Sequence, residues 1–109
     1  MQADVDPLIW SLASTREILQ RYGETAVSAR LAELERGLAA GDWDAIESAV
    51  SEATGGMGSL RDVWLSDSNG NLIEQCDEPQ INAELDRLIV DVERTARETA
   101  ARLGISLVR

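Results

Sequence analysis

The first half of the chain carries apolar residues at the spacing of amphipathic helices. A first helix is predicted from Asp6-Pro7, a capping side chain followed by a proline, to Gly23, which suits a left-handed position after a helix. Its apolar stripe consists of Leu8, Leu12, Leu19 and Tyr22, widened by Ile9 and Ile18.

Two further helices follow the same pattern. The second helix stops at Gly41, and its apolar face is Val27, Leu31, Leu34 and Leu38. Asp42 is then predicted to cap a third helix. The apolar side of that helix is Trp43, Ile46, Ala49, Val50 and Ala53.

The helical pattern breaks at Gly55-Gly56-Met57-Gly58-Ser59, where three glycines in four positions permit positive φ angles. Residues 62–75 then alternate in the manner of a β-hairpin. A four-residue loop over 67–70 sets Leu65 against Leu72 and Trp64 against Ile73, whereas a two-residue Asn69-Gly70 loop pairs them less well.

A long closing helix is predicted from Asp77-Glu78-Pro79 to about Leu103, with Gly104 after it. Its apolar face is Ile81, Leu85, Leu88, Ile89, Val92, Ala96, Thr99 and Leu103. A two-stranded hairpin is unstable alone, so we expect it to lie on the helices. The prediction is therefore a single α+β domain over residues 1–109, mostly α. It contains three short helices, a Gly-rich loop, a small β-hairpin and a long C-terminal helix.

Composition removes several kinds of chemistry. The 109 residues include 20 acidic and 10 basic side chains, for a net charge of −10, and every base is arginine. Without histidine or lysine, a histidine base, a histidine-ligated metal, a Schiff-base lysine and a P-loop lysine are all excluded. Residues 42–78 hold nine acids and Arg61 as their only base, so the net charge of this segment is −8. Binding to nucleic acid through phosphate contacts is disfavoured by such a charge.

The start of the chain shows no basic segment of the kind that opens a signal peptide, because Asp4 and Asp6 lie within it. No apolar run is long enough to span a membrane. Cys76 is the one cysteine, which excludes an internal disulfide and is typical of a reducing compartment. We therefore expect a cytoplasmic protein.

No set of residues predicts catalysis, a metal site or a cofactor. Ser59, Arg61 and Asp62 form the only cluster that resembles a catalytic set, but a serine without a histidine or lysine base is a poor nucleophile. An ion pair of Arg61 with Asp62 or a neighbour is the simpler interpretation. Asp44 and Glu47 suit the positive end of a helix dipole better than a metal.

The glycine-rich loop and the tryptophans leave alternatives open. Residues 55–59 form a tight structural turn, a surface for protein recognition or, less simply, an anion nest. Trp43 is expected in the core. Trp10 lies on the polar side of its helix and is covered by the apolar tail at 105–109 or serves as a partner anchor. Val90 raises the same question on the last helix.

The stretch Gly55-Gly56-Met57-Gly58-Ser59-Leu60-Arg61-Asp62-Val63, with Asn69-Gly70 after it, resembles a family of small bacterial proteins. Their pattern reads G-G-M-G-S, a hydrophobic residue, N-D, a short hydrophobic strand and an N-G turn. Arg61 stands where that pattern has asparagine. The resemblance implies no activity, and by analogy such small acidic domains are similar to the immunity proteins of toxin–immunity pairs.

The sequence thus favours a non-enzymatic binding protein, an immunity protein or antitoxin that covers a cognate toxin with a basic surface. Neither nucleic acid nor a membrane is an expected partner. The predicted contacts are Asp42, Asp44, Glu47, Glu52, Met57, Arg61, Asp62, Trp64, Asp67 and Glu74. The alternative is a self-associating helical protein, structural or regulatory, whose homodimer uses the last helix, Trp10 and Val90. A third hypothesis is an enzyme that uses carboxylates alone with a divalent metal.

Overall fold

A computed structural model describes residues 2–107, with side chains from residue 4 onward, and all of its regular structure is helical. The helices are α1 (Gln2–Arg21), α2 (Thr25–Ala39), α3 (Asp44–Thr54) and α4 (Glu78–Leu103). Short 3-10 turns lie at Leu60–Asp62, Asp67–Asn69 and Gln75–Asp77. No strand occurs within residues 2–107, so the predicted α+β class is wrong and the fold is all-α.

Helix α4 organises the packing. Its 26 residues extend for about 39 Å at 1.5 Å per residue, close to the 44 Å length of the whole molecule. Helices α1 and α3 both pack against α4, and α2 packs against α1 and α3. The largest fully buried side chains are Leu8, Leu12, Leu19, Leu31, Leu38, Ile46, Leu60, Leu65 and Leu85. One apolar core therefore runs the length of the domain.

The helix ends predicted from glycine are confirmed. Gly23, Gly41 and Gly104 adopt φ angles of 88°, 86° and 71°. After each one, the next N–H donates to the carbonyl five residues before it, as in Ile105 N to Ala100 O at 2.8 Å. The predicted cap of α3 is only partly right: the carboxylate of Asp42 accepts from Asp44 N, the first residue of the helix, at 3.1 Å, but Trp43 holds the N-cap position and makes no side-chain capping bond.

The predicted start of the first helix is wrong. Helix α1 already includes Gln2, and Pro7 lies inside it. Val5 is fully buried and lies on the same face as Leu8 and Leu12, so extending the helix toward its N-terminus buries one more apolar side chain. Packing against the rest of the domain outweighs the local start signal of Asp6-Pro7.

The predicted hairpin is wrong because its backbone binds side chains instead of a second strand. The Asn82 side chain on α4 accepts from Leu65 N at 2.8 Å and donates to Leu65 O at 2.7 Å. Asn71 accepts from Ser66 N and donates to Tyr22 O. Residues 63–74 consequently lack regular strand structure. They are held to α4 at Leu65 and at Asp67, whose N–H donates to Glu78 Oε1, and to the α1–α2 connection through Asn71.

Trp10, Trp43 and the C-terminal tail differ in how far the core covers them. Trp43 is half-buried against the core, as predicted, but Trp10 is 75% exposed and no described residue covers it. Ile105 and Leu107 of the tail pack on the core, while residues 108–109 lie outside the described part of the chain. Within residues 2–107, no helix combines the length and the hydropathy needed to cross a bilayer.

Candidate functional site

A cleft of about 630 Å³ lies between α3 and the Gly55–Ser59 segment, and we call it the loop cleft. Its α3 wall presents Asp44, Glu47, Ser48 and Ser51, which fall on one face at spacings of three and four residues. The remaining lining residues are Arg30, Glu52 and the five residues of the loop. Three carboxylates and one guanidinium give the lining a net charge of −2.

An ion pair between α2 and α3 holds the loop in place. Arg30 Nε donates to Glu52 Oε2 at 2.9 Å, and Arg30 Nη2 donates to Gly58 O at 2.7 Å. Glu52 Oε1 in turn accepts from Leu60 N at 2.8 Å. The pair thus connects two helices and both ends of the turn that follows Met57.

The ion pair keeps the guanidinium of Arg30 in its charged form. The hydrogen bond to Glu52 raises the pKa of Arg30 above its ordinary value, burial opposes that effect, and the Coulombic attraction of Glu52 adds to it. Because the pKa is raised on folding, the stabilisation is fully present below arginine's ordinary pKa. It is lost only as the pH rises through the still higher folded pKa.

We expect Glu52→Gln to lower the free energy of unfolding by about 1–2 kcal/mol, because it replaces a mostly buried, charge-assisted acceptor with a neutral amide. Glu33→Gln is the matched control, since it breaks an exposed Arg36–Glu33 pair within one helix and is expected to change stability by less than about 0.5 kcal/mol. Urea denaturation of both variants tests this. Equal effects at the two positions would show that the pair does not hold the loop.

The predicted contact residues fall into three groups. Asp44, Glu47, Glu52 and Met57 line the loop cleft. Asp62 and Trp64 line a groove beside it that shares Gly58 and Ser59 with the cleft. Asp67 and Glu74 line a separate groove with Leu72 and Ile73. Asp42 and Arg61 line none of these three concave surfaces.

Two of these residues have contacts within the fold that sequence reasoning did not assign. Arg61 Nη1 lies 2.7 Å from Asp86 Oδ1 on α4, so its ion pair is not with Asp62. Asp62 instead accepts from Gly58 N at 3.1 Å. The cluster of Ser59, Arg61 and Asp62 therefore does not assemble, because its arginine and its carboxylate bind elsewhere. Among residues 2–107, no group of three histidine, cysteine or acidic side chains is placed to hold a metal.

Sequence reasoning missed Arg30, Asn71 and Asn82. Asn82 had a detectable signal, because it lies three residues before Leu85 on the apolar stripe of α4, where a buried amide must find backbone partners. Asn71 follows the Asn69-Gly70 turn signal without any periodicity of its own. Arg30 looks like any exposed helix residue, since its partners lie 22 and 28 positions away in sequence.

Comparison with known proteins found no matching family model, no matching curated protein and no matching solved structure.

Proposed function

We propose that this protein is a non-enzymatic binding module that covers a basic protein partner, and that this partner is a bacterial toxin which it neutralises. The observation that supports the proposal is the loop cleft, where Asp44 and Glu47 have no ion pair among residues 2–107. Arg30, the one cation in the lining, is already bound to Glu52. A concave surface with uncompensated negative charge attracts and orients a positively charged partner.

Self-association is the second candidate. Trp10 lines a groove between α1 and α4 together with Leu88, and its exposed ring is the kind of anchor that interfaces use. Val90 is also half-exposed but does not line that groove. Sedimentation of the chain over a range of concentrations separates the two functions, since a constant monomer mass contradicts the dimer.

Capture and growth rescue test the toxin hypothesis together. The tagged chain is used as bait in its cell of origin, and each stoichiometric partner is then expressed alone in a laboratory bacterium. We expect one partner to be basic, to arrest growth alone, and to permit growth when this chain is co-expressed. A set of partners that never arrests growth contradicts the immunity function, even if binding itself is real.

The double substitution Asp44→Arg with Glu47→Arg is expected to slow association with that partner by about tenfold at low salt and to flatten the salt dependence. Glu52 is left intact, because reversing its charge would break the pair that holds the loop. Stopped-flow association rates at several salt concentrations measure the effect. Unchanged rates and an unchanged salt slope would show that the partner approaches another surface.

A further inference from the structure

Met57 is 99% exposed, although the loop that carries it is firmly held. Gly58 uses both of its backbone groups, its N–H to Asp62 and its carbonyl to Arg30, and Ser59 N donates to Gly56 O at 3.1 Å. The fold thus projects a large apolar side chain into water from a preorganised position. Preorganisation of this kind lowers the entropy lost on binding.

The glycines around Met57 are required by backbone conformation. Gly55, Gly56 and Gly58 have φ angles of 128°, 111° and 83°, which other residues rarely adopt. A Cβ atom at any of the three would meet nothing within 4 Å, so steric room is not the reason for glycine. The chain therefore follows a path that would strain any other residue at these three positions, and that path brings Met57 to the lining of the loop cleft.

The α3 residues that line the cleft supply polar groups. The carboxylates of Asp44 and Glu47 form no ion pair with any described residue. Ser48 and Ser51 lie beside them on α3. Ser59 also lines the cleft, and its buried hydroxyl oxygen has no hydrogen-bond partner in the described part of the chain. One concave space is thus lined both by an apolar side chain and by two carboxylates.

We propose that the loop cleft binds an arginine side chain from an extended segment of the partner protein. The guanidinium would donate to Asp44 and Glu47, while the aliphatic stem and an apolar neighbour pack against Met57. Arginine fits because its planar guanidinium presents several donors that can serve two carboxylates together, and the cleft volume of about 630 Å³ exceeds that of the group. This inference rests on the proposed function and names the chemistry that the site recognises.

A second copy of this chain is a poor source of that arginine, because each copy carries a net charge of −10 and two such copies repel each other. Eight of the nine arginines within residues 2–107 already form ion pairs inside the chain, and Arg102 is the exception among the described residues. Withdrawing one of them for a neighbouring molecule would break an existing contact. A separate basic protein has no such restriction, so we assign the occupant to a partner of different sequence.

The test is a titration of the whole protein with a defined peptide, followed by amide and methyl resonances in NMR spectra. The probe is an acetylated, amidated Gly-Leu-Arg-Leu-Gly peptide, and its counterpart with citrulline in place of arginine keeps the shape and removes the charge. We expect saturable shifts at the first two turns of α3, at residues 55–58 and at the Met57 methyl. The citrulline peptide is expected to bind at least about tenfold more weakly.

Two double variants with the same change in net charge separate the cleft from general acidity. Asp44→Asn with Glu47→Gln is expected to weaken arginine-peptide binding by about tenfold. Asp67→Asn with Glu74→Gln changes the separate groove and is expected to alter affinity by less than about twofold. Equal losses in the two variants, or shifts spread evenly over all acidic side chains, would overturn the proposal. An absence of saturable shifts at millimolar peptide would do the same.

Met57→Ala supplies a variant whose folding is secure, because the side chain is exposed on all sides. We expect it to weaken the peptide by about threefold without changing the thermal midpoint. Unchanged affinity would remove Met57 from the site.

This titration also distinguishes the inference from the proposed function. A toxin that is neutralised through another surface would leave the function standing and contradict the cleft. Arginine-specific binding in the cleft, with no growth-arresting partner, would leave the cleft standing and contradict the toxin hypothesis.

Discussion

Asn82→Ala is expected to lower the free energy of unfolding by about 2–4 kcal/mol, the largest effect we expect from any polar side chain of the described chain. The buried amide makes three hydrogen bonds, two to Leu65 and one from its Nδ2 to Glu78 O. Truncation leaves the backbone N–H and carbonyl of Leu65 without partners in an apolar environment, and desolvated groups of that kind cost about 1–3 kcal/mol each. Urea denaturation at neutral pH measures the loss.

Two matched variants show whether the loss comes from those bonds. Asn69→Ala removes an exposed amide with a single bond to Trp64 O, so we expect less than about 1 kcal/mol. Asn82→Asp keeps the acceptor for Leu65 N but sets its second oxygen against the Leu65 and Glu78 carbonyls. Burial and those carbonyls raise the pKa of the introduced carboxyl on folding.

The sign of the resulting pH dependence follows from that raised pKa. A raised pKa on folding means that the variant is relatively most stable at low pH, where its carboxyl is protonated and donates again. The difference in the free energy of unfolding between Asn82→Asp and the unchanged protein is therefore expected to become smaller as the pH falls toward the acidic range. A gap that stays constant or widens would contradict the hydrogen-bond role assigned to this amide.

Leu65→Ala and Leu72→Ala form the second test, because a hairpin and the observed fold predict different outcomes. In a hairpin the two leucines would face each other and contribute comparably. In the structure Leu65 is fully buried and Leu72 is 76% exposed. We expect Leu65→Ala to cost about 2–5 kcal/mol and Leu72→Ala less than about 0.5 kcal/mol.

Thermal or urea unfolding of the two leucine variants measures both losses of stability. The losses can be compared directly because the chemical change is the same at both positions. Similar losses at both positions would favour the paired strands and contradict the side-chain anchoring by Asn82. A large loss of stability at Leu65 alone supports the observed fold, in which this segment packs on the helices without a second strand.

The acidic residues of the 42–78 segment differ in whether the fold leaves them available to a partner. Along the sequence, residues 42–78 form one segment of net charge −8. In the fold, Glu52 is bound by Arg30 and Arg61 is bound by Asp86, so neither is free to meet a partner without breaking an internal contact. Asp44 and Glu47 line the loop cleft, whereas Asp67 and Glu74 lie at another groove. Spatial grouping therefore reduces ten predicted contacts to a much smaller testable set.

The existence of the four helices and the C-terminal ends at Gly23, Gly41 and Gly104 were determined by the sequence itself, whereas the start of α1 was not. Apolar spacing near 3.6 residues identifies the buried faces, and each of Gly23, Gly41 and Gly104 stops a helix through its own φ angle and bonds within the preceding turn. These are local interactions, so a short window of sequence contains everything that they require.

Only the tertiary structure decided the path of residues 55–77 and the composition of the loop cleft. An alternating segment such as 62–75 has backbone N–H and C=O groups that need hydrogen-bond partners, and a second strand is only one possible source of them. In this fold the Asn82 side chain and the α1–α2 connection near Tyr22 supply hydrogen-bond partners in its place. Arg30 joins the cleft because α2 packs beside α3, which brings it to Glu52 and Gly58. Which distant side chain binds a given backbone group or charge depends on how the helices pack. A short window of sequence therefore does not predict these contacts.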